Sequence, residues 1–135
     1  TTALDLLGCE RIDHGYHILE DDEVVGRCIE DEIVFTCTPV STAWVYFDQD
    51  FANHPIREMA TRGLKIMLDC DDPPMFRTDP TNDYLVAADH MGFSANDFVG
   101  FVMNGIDGCW VAEETKATWR REWGKEIEIL KAALD

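Results

Sequence analysis

Three short runs hold side chains from which hydrolytic chemistry could be built: His14-Gly15-Tyr16-His17, Thr38-Pro39-Val40-Ser41 and Asp69-Cys70-Asp71-Asp72-Pro73. An imidazole exchanges protons near neutral pH, and a carboxylate can ligate a divalent metal or hold a substrate by hydrogen bonds. In Asp71-Asp72, one carboxylate would ligate while its neighbour, leaving the strand in another direction, would contact substrate. Each run also has a purely structural explanation. Asp before Pro is a natural helix cap or turn start. His14 could donate to a backbone carbonyl from a buried site, and the His-x-x-His spacing to His17 is too common to signal a metal by itself. His54, at an expected helix start, and His90, inside an expected helix, receive no role.

What raises these runs above coincidence is position, because each follows a segment with strand character. Residues 33–37 and 64–68 are the clearest strands, the first almost continuously apolar, as a strand covered on both faces should be. Residues 9–13 are weaker and are read as a strand from their neighbours. Between them, residues 22–31 read as a helix with Val24, Val25, Cys28 and Ile29 on one side, and residues 54–62 as a second helix ending at Gly63. Strands and helices alternating at this spacing predict a parallel sheet with crossover helices. The carboxyl ends of such strands gather distant sequence into one crevice, so residues 14, 41, 71 and 72 are expected neighbours. Further on, residues 83–91 read as a helix stopped by Gly92. Another starts at Ser94, with Asp97 at capping-box spacing and Phe98, Phe101 and Val102 on one stripe. A last helix runs from Glu113 toward Leu134, and its Trp119, Trp123, Ile127, Leu130 and Leu134 are expected to dock it on the body as an aromatic patch.

Composition narrows the function classes. A length of 135 residues with 46% hydrophobic and 28% charged residues describes one domain of an ordinary globular chain, residues 1–135. A net charge of −16 would repel phosphate backbones and anionic bilayers, so neither nucleic acid nor membrane is an expected partner. The five cysteines lack C-x-x-C spacing and are odd in number, which favours reduced thiols. No apolar run approaches the roughly 20 residues of a membrane span, and residues 1–13 hold no signal-peptide core. The expected location is cytoplasmic, with the natural N-terminus upstream of Thr1.

Two motifs together resemble the adenosine/adenine deaminase family of amidohydrolase-type enzymes. Glu10-Arg11-Ile12-Asp13-His14-Gly15-Tyr16-His17, followed by Leu19-Glu20-Asp21, is similar to that family's sixth-strand signature. Asp71-Asp72-Pro73, with Phe76 and then Asp83-Tyr84, is similar to its eighth-strand signature, and Met91-Gly92-Phe93 and Asn104 fall where similar sequences carry them. The likeness runs from about Leu4 to Leu130, and two motifs in order at compatible separation are far more specific than either alone.

The resemblance implies a fold and a chemistry. The fold would be α/β: the C-terminal three βα units of a (β/α)8 TIM barrel plus C-terminal helices, an incomplete barrel in this chain alone. The chemistry would be zinc-dependent hydrolytic deamination of a purine nucleoside or base at C6, releasing ammonia. By the same resemblance, His14 would handle protons and stabilise charge as hydroxide adds, Asp71 would ligate Zn2+, and Asp72 would contact the purine ring nitrogen on its imidazole side. The family's metal histidines and proton-donating glutamate precede the sixth strand. An N-terminal remainder of the barrel is therefore an expected partner, and the 135-residue chain by itself is expected to be inactive and marginal in solution, with an open sheet edge.

Some departures touch specificity. Similar sequences usually show Cys-Pro-x-Ser-Asn around position 38, whereas here Cys37 comes one place earlier and Thr42 stands for the amide. Asp69-Cys70 would place one more acid near the metal, and an aromatic-rich loop over residues 44–51 would shape a lid. Adenosine is the first expected substrate, adenine a close second because adenine-type relatives also carry Asp before the histidine, as Asp13 stands before His14 here, and an N6-substituted adenine the third. The alternative from another class is a non-catalytic truncated barrel module. The H-x-E and P-C-x-x-C signature of the cytidine-type deaminases is absent.

Overall fold

The computed structural model describes residues 2–133. Strands β1 (Arg11–Asp13), β2 (Val34–Cys37) and β3 (Lys65–Leu68) form a parallel sheet in that order, with Ile12 opposite Phe35 and Phe35 opposite Ile66. All four residues of β2 are buried, as its apolar run requires. β2 and β3 start one residue later than their apolar runs because Glu32 and Gly63 turn left-handed just before them. Ile33 and Leu64 donate back to Cys28 O and Met59 O at 3.0 and 3.1 Å, so their N–H groups belong to the preceding helix ends rather than to the sheet.

Helices carry the crossovers. After a short α1 (Thr2–Asp5), α2 (Asp22–Glu30) is capped by Asp21, whose carboxylate accepts from Glu23 N and Val24 N. It buries Val25 and Cys28 as expected, but Ile29 stays exposed. The expected lid loop is in its first part a helix, α3 (Pro39–Tyr46), because Pro39 supplies a preset first-turn φ without needing an N–H partner. α4 (Ile56–Thr61) is shorter than expected, since Pro55 holds its N-cap and the His54 side chain accepts from Ile56 N. After β3 come α5 (Pro73–Phe76) and α6 (Pro80–Met91); the latter begins before residue 83 because Asp79 caps Asn82 N and Pro80 opens the turn. α7 (Ala95–Gly108) carries the expected capping box between Ser94 and Asp97.

α7 is fitted closely to the sheet. A Cβ on Gly105 would lie 3.8 Å from Met67 Cβ, and one on Gly108 only 3.0 Å from Val34 Cγ1. Asp69 N donates to Cys37 O, so odd-numbered residues of β3 face β2 and the Ile66 carbonyl points outward. Asn104 Nδ2 donates to that carbonyl at 2.8 Å, which satisfies part of the sheet edge. α8 (Glu113–Ala132) buries no residue. Trp119 and Trp123 stack on each other, with centroids 5.5 Å apart, and Leu130 is exposed. Instead of an aromatic patch, the attachment is polar: Lys116 Nζ donates to Asp107 O, and Arg120 pairs with the Asp107 carboxylate at the end of α7. Leu134, the last residue of the expected docking stripe, lies outside the described residues.

Candidate active site

Both site residues that leave strand ends do so through an unusual backbone. His14 follows β1, its N–H still pairing with Thr36 O at 2.8 Å, and takes φ 65; Gly15 follows at φ 68. Two successive left-handed residues reverse the chain direction, so the imidazole is presented at the strand end while Tyr16 begins a 3-10 turn over Tyr16–Glu20. Only glycine fits at 15, because a Cβ there would sit 2.9 Å from both Ile12 Cγ2 and Phe35 Cε1. Asp71, three residues beyond β3, has φ 58. Glu32, Asp48, Gln49 and Arg77 share this conformation outside the cleft, so at His14 and Asp71 it sets where the side chain leaves the strand end and does not by itself mark function.

The two side chains meet. His14 Nε2 lies 3.9 Å from Asp71 Oδ2, and both groups are a little under half exposed, at 45% and 38%. They line one cleft of about 1000 Å³ together with Tyr16, Ser41 and Thr42, and its wall mixes apolar Leu4, Ile18 and Val24 with acidic Glu20, Asp21 and Glu58. His14 Nδ1 is held on the opposite side by Thr38 Oγ1 at 3.1 Å. Tyr16 stands behind: its hydroxyl accepts from Thr38 N at 2.9 Å and from Thr42 Oγ1 at 3.1 Å. Burial pushes its phenol up to about 12, so it is a neutral phenol at any working pH.

The remaining expectations divide. Ser41 joins the cleft wall, with its Oγ turned to Thr38 O. Asp72 is exposed and does not line the cleft; it sits at the N-cap of α5 without using its side chain as a cap. Asp69 accepts from Cys70 N at 2.7 Å and does not line the cleft. His17 also borders the cleft, and its Nδ1 pairs with Glu20 Oε1 at 2.6 Å, which accounts for it without a metal. The cleft also depends on Asp83, which the sequence marks only within the Asp83-Tyr84 pair and without a role. Asp83, fully buried, accepts from Val40 N at 2.9 Å and from Thr78 Oγ1 at 2.5 Å, tying the loop after β3 to the start of α3. Burial raises its carboxyl above the usual range. A buried acid is legible in sequence only as part of the Asp83-Tyr84 pair, and its partners are not.

As a metal centre the pair is partial. Asp71 offers one half-exposed carboxylate facing an imidazole across a gap that a cation or a donor could bridge, which suits one ligand of a zinc site. Among the described residues no group of three or more His, Cys, Asp or Glu is clustered to hold a metal. Among them too, no helix is long and apolar enough to cross a membrane.

The model of the family described as "Adenosine deaminase" matches residues 1–123. The chain belongs to the adenosine deaminase family. An adenine deaminase of Sinorhizobium fredii is 37% identical over 114 residues, covering 84% of this chain and 35% of that protein. A zinc-bound amidohydrolase from Burkhoderia ambifaria superposes with a TM-score of 0.91 at 39% identity, over 98% of this chain and 37% of the other. The adenine deaminase of Arthrobacter aurescens gives a TM-score of 0.88 at 28% identity, over 94% of this chain and 39% of the other. The chain thus spans about a third of the length of its curated relatives, and its three βα units are a section of the amidohydrolase (β/α)8 barrel.

Proposed function

We propose that residues 1–135 are the C-terminal portion of a zinc-dependent purine deaminase, which replaces the C6 amino group of adenine by oxygen and releases ammonia. The observation that carries this reading is the convergence of His14 and Asp71, from strands separated by more than fifty residues, at 3.9 Å over one cleft. Adenine is favoured over adenosine and N6-substituted bases because the related proteins from S. fredii and A. aurescens bear that activity in their names.

In this reading Asp71 is one zinc ligand, and the remaining ligands and the proton-donating glutamate come from outside residues 1–135. Bound zinc would supply an acidified water near neutral pH. His14 is poised beside Asp71 to take a proton from the attacking water and to hold it during addition at C6. Asp72, exposed at the head of α5 and outside the cleft lining, would reach the imidazole side of the purine only if the bound base extends beyond that cleft toward α5. The unpaired state of all five cysteines fits a reducing, cytoplasmic setting.

Ammonia release by the whole protein from adenine, adenosine and N6-methyladenine tests the assignment, together with zinc content by elemental analysis. Adenine turnover with one zinc per site is expected, and the isolated 135-residue segment should be inactive. Absence of ammonia from all three substrates rejects the reading.

A further inference from the structure

The hydroxyls behind His14 form a chain whose proton directions can be followed one by one. Thr42 Oγ1 donates to the Tyr16 hydroxyl at 3.1 Å, which uses the only proton Thr42 has. In the 2.8 Å contact between Thr38 Oγ1 and Thr42 Oγ1, Thr38 must then be the donor. That uses the only proton of Thr38, so in the 3.1 Å contact with His14 Nδ1 its oxygen must accept. The Tyr16 oxygen also accepts from Thr38 N, which leaves the phenol proton to face Thr38 Oγ1 at 3.5 Å. Thr38 and Thr42 are both 2% exposed, so water does not compete for these positions.

We propose that Thr38 and Thr42, backed by Tyr16, are positioning residues: their one-way hydrogen-bond chain keeps the proton of His14 on Nδ1 and turns the Nε2 lone pair toward Asp71. Two acceptors then face each other across 3.9 Å at the cleft, an arrangement that favours a donor or cation between them. The functional consequence, a ring oriented to receive a proton from an attacking water, rests on the deaminase reading. The tautomer itself does not. Thr42 belongs to the chain's own departure from the Cys-Pro-x-Ser-Asn run, and an amide at that place would supply both a donor and an acceptor, leaving the direction unfixed.

Long-range proton–nitrogen correlation NMR of the whole protein, labelled at histidine, reads the tautomer directly. The neutral His14 ring is expected to show an N–H at Nδ1 and a lone pair at Nε2. Thr42→Val removes the acceptor for the Thr38 proton, which then turns onto His14 and shifts the ring toward the Nε2–H form. Thr38→Val removes the contact and gives a mixture, and Thr38→Ser restores the wild-type pattern. On adenine, Thr38→Val should lower kcat roughly tenfold with KM little changed, and Thr38→Ser should recover it. An Nε2–H tautomer in the wild-type protein, or a pattern unmoved by both valine variants, overturns the proposal. A wild-type protein with the expected tautomer and no deaminase activity upholds the positioning chain and rejects the reaction instead.

Discussion

Acid should find the weak point of this fold at His54. Its ring is 2% exposed, packed against Tyr16 at 5.3 Å and Phe47 at 5.4 Å between ring centroids. Nδ1 accepts from Ile56 N at 3.2 Å, so the neutral ring carries its proton on Nε2, which is buried with no partner among the described residues. A second proton would have to go to Nδ1, where it would face the Ile56 N–H donor, and would bring a charge into an apolar pocket. Burial accordingly pushes the imidazole down from 6.5 to about 4. The sign follows from linkage: the unfolded ring binds a proton at higher pH than the native one. Stability is therefore complete above about pH 6.5 and is lost as pH falls toward 4. At roughly 1.36 kcal/mol per pH unit, the loss between neutrality and the folded value comes to ~3 kcal/mol, a large part of an ordinary domain's 5–15.

Many carboxylates also titrate in that range, so the comparison must be with a variant that lacks the ring but keeps its acceptor. Asn at 54 can accept from Ile56 N through an Asx turn and does not ionise. Denaturant midpoints of the whole protein and of His54→Asn, followed from about pH 7 to pH 4, should diverge, the wild type losing ~3 kcal/mol more. Coincident pH profiles would show that His54 protonates freely in the native state and refute the argument.

Three further outcomes are expected. Asp83→Ala strips Val40 N and Thr78 Oγ1 of their buried acceptor and should cost ~3 kcal/mol in denaturant unfolding, with Asp83→Asn intermediate. Gly15→Ala places a Cβ against Ile12 and Phe35 at positive φ, so a loss of about 2 kcal/mol in thermal stability should accompany a fall in activity as His14 is displaced. In the deaminase assay, Asp71→Ala should reduce both zinc content and kcat, the latter by more than ~100-fold. His14→Ala should retain zinc yet lose roughly 100-fold or more in kcat.

The sequence by itself determined the parallel α/β arrangement and which side chains leave the carboxyl ends of its strands. Apolar runs before Thr38 and Asp69 marked two strands, the weaker third before His14 was legible only from them, and alternation with helices brought their carboxyl ends together. The capping box at Ser94 and the stop at Gly92 were equally local, because a cap needs only residues within one turn. Tertiary structure decided what depends on partners far along the chain. Asp83 is buried because Val40, more than forty residues away, needs an acceptor, and α8 is tied to Asp107 by cations rather than seated by its tryptophans. The separation of Asp71 from Asp72 into one group lining the cleft and one exposed at a helix cap follows from a single left-handed residue, which composition and periodicity do not encode. Spacing fixes which residues reach a strand end. Backbone dihedrals and distant hydrogen-bond partners fix which way their side chains turn there.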